Sequence, residues 1–139
     1  MYNLGSCYYN GHGVARNYQQ AVHWYTKASD NGNAEAMFSL GKCYLFGQGV
    51  SKNFGQAVHL FRKASDNGNA EAMFSLGDCY QFGIGISKDS IMAIHWYKRS
   101  ADAGNSTSMN SLGNCYYNGV GVSKDYKHAV YWFPKSPLG

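Results

Sequence analysis

Residues 34–69 read AEAMFSLGKCYLFGQGVSKNFGQAVHLFRKASDNGN, and this pattern recurs along the whole chain with a period of 36 residues. A leucine, glycine, cysteine and tyrosine keep their register in all four copies. They are Leu4, Leu40, Leu76 and Leu112; Gly5, Gly41, Gly77 and Gly113; Cys7, Cys43, Cys79 and Cys115; and Tyr8, Tyr44, Tyr80 and Tyr116. A constant period of roughly 20–50 residues is the signature of a repeat protein.

Within one repeat, apolar residues return every three or four positions in two separate groups. This spacing places side chains on one face of a helix. We therefore predict two helices in each repeat, helix A and then helix B. The apolar face of helix A consists of Ala36, Met37, Leu40, Cys43 and Tyr44, and that of helix B of Ala57, Leu60, Phe61 and Ala64.

Polar residues and glycines mark the ends of these helices. Asn33 can cap helix A, and Gly47 can end it in the left-handed conformation. An Asx residue precedes every helix B and can accept its free backbone N–H groups. These residues are Asn17, Asn53, Asp89 and Asp125, and the glycines after helix B are Gly32, Gly68 and Gly104.

One helix pair cannot cover its own apolar faces, so the core must form by stacking of successive pairs. We predict an all-α fold, a right-handed superhelical αα solenoid of about four repeats in a single repeat domain. The small residues Gly41 and Ala57 would let helices A and B approach closely. The repeats are residues 1–33, truncated at the amino end, 34–69, 70–105, and 106–139, which ends irregularly.

The motif Leu-Gly-x-x-Tyr, followed by Gly-x-Gly-Val/Ile, Asx, Ala and Trp, resembles the Sel-1-like repeat, a relative of the tetratricopeptide repeat. It reads Leu112-Gly113-Asn114-Cys115-Tyr116 to Trp132 in the fourth repeat and covers essentially the whole chain. The resemblance implies a scaffold or adaptor that binds a partner peptide or domain.

By analogy with tetratricopeptide folds, one face of helix A lines a concave groove, and here the repeats differ from one another. Aromatic rings among amides and charges suit the binding of an extended or helical peptide. The alternative is that these are tolerated surface residues whose rings pack on the adjacent repeat. The candidate groove residues are Tyr2, Ser6 and Tyr9; Glu35, Phe38, Lys42 and Leu45; Glu71, Phe74, Asp78 and Gln81; and Thr107, Asn110, Asn114 and Tyr117.

Nothing in the sequence indicates an enzyme, a metal site or a cofactor. The cysteines lie 36 residues apart, whereas zinc ligands come in pairs two to four residues apart, so we expect reduced thiols that act as small hydrophobic residues. The Gly-x-Gly turn occurs in every repeat, which favours turn geometry over phosphate binding. His23, His59 and His95 form an exposed stripe on helix B without a recurring nucleophile beside them.

A net charge of +4 is scattered along the chain, so we expect a protein or peptide partner and no nucleic acid. The sequence shows neither a membrane span nor a signal peptide, and with reduced cysteines this favours the cytoplasm. Met1 aligns with Met37, and Pro134 should end the last helix early. We therefore expect an excerpt of a longer array, or else a short protein that self-associates end to end.

Two other functions stay open at this stage. The array could be a regulatory arm of a larger enzyme, such as a kinase or synthase. It could also be a carbohydrate-binding envelope module, for which a groove rich in tyrosine and asparagine is a weak indication.

Overall fold

The computed structural model describes residues 1–133, and these contain eight helices and no strand. The helices alternate between A and B, as the apolar spacing predicts. They are α1 (Tyr2–Asn10), α2 (Tyr18–Asp30), α3 (Ala34–Phe46), α4 (Phe54–Asp66), α5 (Ala70–Phe82), α6 (Ser90–Asp102), α7 (Ser106–Asn118) and α8 (Tyr126–Trp132). The expected effect of Pro134 falls outside the described residues.

The predicted caps are present at both kinds of helix. The Asn33 side chain accepts a hydrogen bond from the backbone N–H of Ala36 over 2.8 Å at the start of α3. Asn53 and Asp89 cap α4 and α6 in the same way. These caps satisfy backbone donors that have no partner inside the helix, and they explain why each helix B begins where it does.

The turn between helices A and B depends on glycine for two separate reasons. Gly47 ends α3 at a φ of 68°, and its N–H donates to the carbonyl of Cys43. Gly49 has a φ of 76°, and a Cβ there would collide with the backbone carbonyl of Tyr18 in the preceding helix B. The second glycine therefore also lets one repeat approach the previous one.

Glycine in the middle of helix A is needed for close packing with helix B. A Cβ on Gly77 would lie 2.6 Å from Cδ1 of Tyr97, and one on Gly41 would lie 2.7 Å from Cε1 of Phe61. Real Cβ atoms do not approach a ring carbon this closely, so each ring rests on the bare helix backbone. The predicted close approach at Gly41 is confirmed.

The chain divides into two compact units, Met1–Asn69 and Ala70–Gly139. In the first unit, one buried cluster joins α2 to α3 and so connects two repeats. Leu40 is 5% exposed within this cluster, whereas its equivalent Leu4, which no earlier helix covers, is 38% exposed. The cluster consists of Ala21, Tyr25, Ala28, Ala36, Leu40, Cys43 and Leu60.

In the second unit, a buried polar contact joins α6 to α7. The hydroxyl of Ser108 donates to the Ser100 hydroxyl over 2.7 Å, and Ser100 donates to the Ala70 carbonyl over 2.7 Å. Both serines are completely buried. The equivalent pair in the first unit is Ala28 and Ala36. The second unit therefore has two serines, hydrogen-bonded to each other, where the first unit has two alanines.

Candidate functional site

The predicted groove residues all lie on helices A, in the same helical register in each repeat. Within each unit, some of them meet in a cleft between two successive A helices, and others do not. The two clefts are described separately, because each one belongs to a single unit.

The cleft of the first unit lies between α1 and α3 and has a volume of about 140 Å³. Its most basic group is the Lys42 ammonium, which also lies 4.8 Å from the centre of the Phe38 ring. The hydroxyls of Ser6 and Tyr25 are 3.2 Å apart. The lining consists of Tyr2, Ser6, Tyr9, Asn10, Tyr25, Ser39 and Lys42.

The cleft of the second unit lies between α5 and α7 and has a volume of about 170 Å³. Three predicted residues, Asp78, Gln81 and Asn114, meet there. The Oε1 atom of Gln81 is buried and has no hydrogen-bond partner among the described residues. The lining consists of Asp78, Gln81, Phe82, Tyr97, Ser111, Asn114 and Cys115.

Tyr25 and Tyr97 also line the clefts, although neither is among the candidate residues predicted from the sequence. Both come from the apolar face of helix B, which the spacing of apolar residues predicts to be in the core. Their rings are buried, while their hydroxyls reach Ser6 and Asp78 on helix A. A tyrosine where other repeats have phenylalanine, opposite the helix A glycine, was the signal that could have identified them.

Phe38 and Phe74 do not line either cleft. Their ring centres lie 5.8 Å from those of Phe61 and Tyr97, respectively. Each ring is half-buried and lies against helix B of its own repeat. These two phenylalanines therefore contribute to the core of their own repeat as well as to the surface.

Asp78 carries the one carboxyl group in the linings of the two clefts. Burial raises its pKa above the ordinary value, and the hydrogen bond from Tyr97 lowers the pKa by less. Burial and the nearby carboxylate together raise the pKa of Tyr97 far above its usual range. Tyr97 therefore keeps its hydroxyl proton near neutral pH and donates it to Asp78.

Three of the four cysteines lie in the core as predicted, whereas Cys7 on α1 is only half-buried, and all four are free thiols. Burial is the main cause that raises the pKa of Cys43, Cys79 and Cys115 to about 11. A thiol with so high a pKa is a poor nucleophile near neutral pH. Among residues 1–133, no three His, Cys, Asp or Glu side chains lie close enough together to hold a metal ion.

The histidine stripe of helix B is exposed, as predicted, at His23, His59 and His95. These residues lie away from both clefts. Among the described helices, none is long and apolar enough to cross a membrane.

Comparison with known protein families gives one match, which extends over residues 1–136. The model of the Sel1 repeat matches four segments, residues 1–33, 34–69, 70–105 and 106–136. No curated protein sequence matches the chain.

Solved structures agree with the family match. A protective antigen of uropathogenic Escherichia coli strains is 39% identical with a TM-score of 0.94 over 99% of this chain. A Sel1 repeat protein from Oxalobacter formigenes is 36% identical with a TM-score of 0.92 over 96% of it. Cysteine rich protein B of Helicobacter pylori is 25% identical, with a TM-score of 0.68 over 86% of each chain.

This chain spans only 29% of the E. coli antigen and 54% of the O. formigenes protein. Both similarities nevertheless extend across all four repeats, so the predicted fold class, an all-α Sel-1-like repeat solenoid, is confirmed. The chain therefore belongs to the Sel1 repeat family.

Proposed function

We propose that this chain is a non-enzymatic scaffold whose A helices bind an extended or helical peptide segment of a partner protein. Sel1 repeat proteins are generally protein-interaction scaffolds, which supports the general role. The more specific proposal, that the clefts on helices A form the binding surface, rests on the geometry of this chain.

One observation carries the proposal: chemical variety at a single register of helix A. The position after the Leu-Gly pair holds Ser6, Lys42, Asp78 and Asn114 in the four repeats. Each of these side chains lines a cleft. The leucine and glycine that precede this position are the same in all four repeats. A structural role alone would favour one residue type at this register, whereas recognition of a partner favours a different chemistry in each repeat.

The absence of a reaction is part of the proposal. The one thiol that lines a cleft, Cys115, is buried and its pKa is raised to about 11, so it is a poor nucleophile near neutral pH. The free thiols also support a reducing compartment such as the cytoplasm, which we propose as the localisation.

The binding test is selection of a random peptide library displayed on phage against the immobilised chain. A cleft variant, K42E combined with N114K, reverses or adds charge inside both clefts. A matched control, K63E combined with H95K, makes the same changes of charge at exposed positions of helix B, away from both clefts. Selected peptides should bind wild type and the control equally and the cleft variant at least about tenfold more weakly.

Circular dichroism and thermal melting of all three proteins would verify that they fold. Equal binding of the peptides to the cleft variant and to wild type would overturn the assignment of the binding surface. Failure of the folded wild-type chain to enrich any peptide would overturn peptide binding itself.

A further inference from the structure

We propose that the cleft between α5 and α7 receives a basic side chain, an arginine or a lysine of the bound peptide, with Asp78 as its counter-charge. This inference rests on the proposed function, since it names the side chain that one part of the peptide-binding surface recognises. It concerns the second unit alone.

The cleft presents more hydrogen-bond acceptors than the protein itself uses. Oδ1 of Asp78 accepts the hydroxyl of Tyr97 over 2.5 Å, which leaves Oδ2 available. Oε1 of Gln81 is buried and has no partner among the described residues. An unpaired buried acceptor is costly, so a ligand that donates several hydrogen bonds would be stabilised here once the Gln81 side chain turns its oxygen toward the cleft. A guanidinium carries five N–H donors and an ammonium three.

The charge of the cleft also favours a cation. No basic side chain lines the cleft. Burial raises the pKa of Asp78, and the hydrogen bond from Tyr97 lowers it by less. The other titratable groups near it, Tyr97 and the thiols of Cys79 and Cys115, are neutral at ordinary pH because their pKa values are raised. A partly buried carboxylate without a counter-ion therefore faces the cleft.

The remaining lining suits the stem of a long basic side chain. Phe82 is 68% exposed at the end of α5 and offers an aromatic ring without a covering group. Arginine and lysine place their methylene stems on such surfaces, and a guanidinium also stacks on aromatic rings. Ser111 and Asn114 add polar groups from α7.

The first unit supplies an internal control. Its equivalent cleft between α1 and α3 has Ser6 where the second unit has Asp78, and Lys42 where the second unit has Asn114. That cleft contains a cation and no carboxylate. It should therefore reject the probe that the second cleft binds.

The test uses the full chain and one pair of small probes, Nα-acetyl-L-arginine N-methylamide and its citrulline analogue, which has the same shape and no charge. In ¹⁵N-¹H correlation spectra, the arginine probe should change the chemical shifts of the side-chain amides of Gln81 and Asn114. The chemical shift of the Asn10 side-chain amide in the first cleft should stay unchanged. The citrulline probe should shift neither group. The corresponding lysine amide reports whether an ammonium is accepted as well.

Peptides from the phage selection provide the second, more sensitive measurement. Replacing the critical basic residue of such a peptide with citrulline or norleucine should weaken binding to wild type about tenfold or more. The same replacement should change binding to D78N by less than about threefold, because the counter-charge has been removed while an acceptor for Tyr97 remains.

The outcomes separate the two proposals. Peptides that bind through the A helices with no dependence on a basic residue would overturn the cation cleft and leave the scaffold function intact. Equal shifts from the arginine and citrulline probes, or shifts at Asn10, would also overturn it. If no peptide is enriched, the peptide-binding function fails, and the small probes alone decide whether the cleft selects a cation.

Discussion

The hydroxyl of Tyr97 on α6 donates a hydrogen bond to Oδ1 of Asp78 on α5 over 2.5 Å. This bond links the two helices of the third repeat at the bottom of a cleft, and it joins a core residue to a candidate binding residue. The same tyrosine ring rests on Gly77, one residue before Asp78. A residue that packs in the core is therefore hydrogen-bonded to a residue that we propose for binding.

We predict that D78N stabilises the chain relative to wild type by an amount that grows as the pH rises. Burial raises the pKa of Asp78, so the folded state binds its proton more tightly than the unfolded state does. Such a group contributes its full stability below its unfolded pKa and loses it as the pH rises through its native pKa. Asparagine keeps an acceptor for Tyr97 but does not ionise.

The measurement is urea unfolding of wild type and D78N from about pH 3 to about pH 7, a range that covers ordinary carboxyl titration. D66N serves as control, because Asp66 is exposed at the end of α4 and the change in charge is the same. A stability difference between D78N and wild type that stays constant across this range would contradict the prediction.

Gly77→Ala should destabilise the chain by about 1–3 kcal/mol, the usual cost of overpacking a core. The new methyl carbon would start 2.6 Å from the Tyr97 ring, so helices α5 and α6 must separate or the ring must move. Gly77→Leu should be worse. The observable is the midpoint of thermal or urea unfolding.

Gly55→Ala is the matched control for this change. Gly55 also lies in a helix, but a Cβ there meets only Oδ1 of Asn53, at 3.5 Å. Because alanine is the better helix former, this variant should gain about 0.5–1 kcal/mol. Equal effects of the two substitutions would show that backbone preference, and not contact with Tyr97, governs Gly77.

The buried pair Ser100 and Ser108 should behave non-additively. S100A leaves the buried hydroxyl of Ser108 without its acceptor and should cost about 1–3 kcal/mol. The double variant S100A/S108A recreates the alanine pair found in the first unit, Ala28 and Ala36, and should recover most of that loss. Urea unfolding of the two single variants and the double variant completes the cycle. Strictly additive losses would contradict the proposed coupling.

Native thiol labelling should distinguish Cys7 from the other three cysteines. Cys7 is half-buried in α1, whereas Cys43, Cys79 and Cys115 are buried with pKa values raised to about 11. At about pH 8 only on the order of 0.1% of such buried thiols would be thiolate, the reactive form. Reaction with a chromogenic disulfide should modify Cys7 first and the others only on unfolding. Rapid reaction of all four without denaturant would place them outside the core.

Much of the fold follows from local rules that the sequence alone reveals. The 36-residue period, the spacing of apolar residues, the Asx caps and the turn glycines each depend on neighbours within one or two helical turns. The Gly41 contact was also predictable, because a glycine kept in mid-helix against its poor helix propensity indicates a close neighbour. The expected register of the candidate residues on helix A is likewise a property of helical geometry.

Only the tertiary structure decided which of those candidates meet and what surrounds them. Phe38 and Phe74 lie in the predicted register, yet their rings pack on Phe61 and Tyr97 and line neither cleft. Gln81 acquires a buried, unpartnered oxygen, and Asp78 gains a tyrosine from another helix. Helical periodicity gives the direction of a side chain from its own axis, whereas burial and hydrogen bonding depend on distances between helices far apart in sequence.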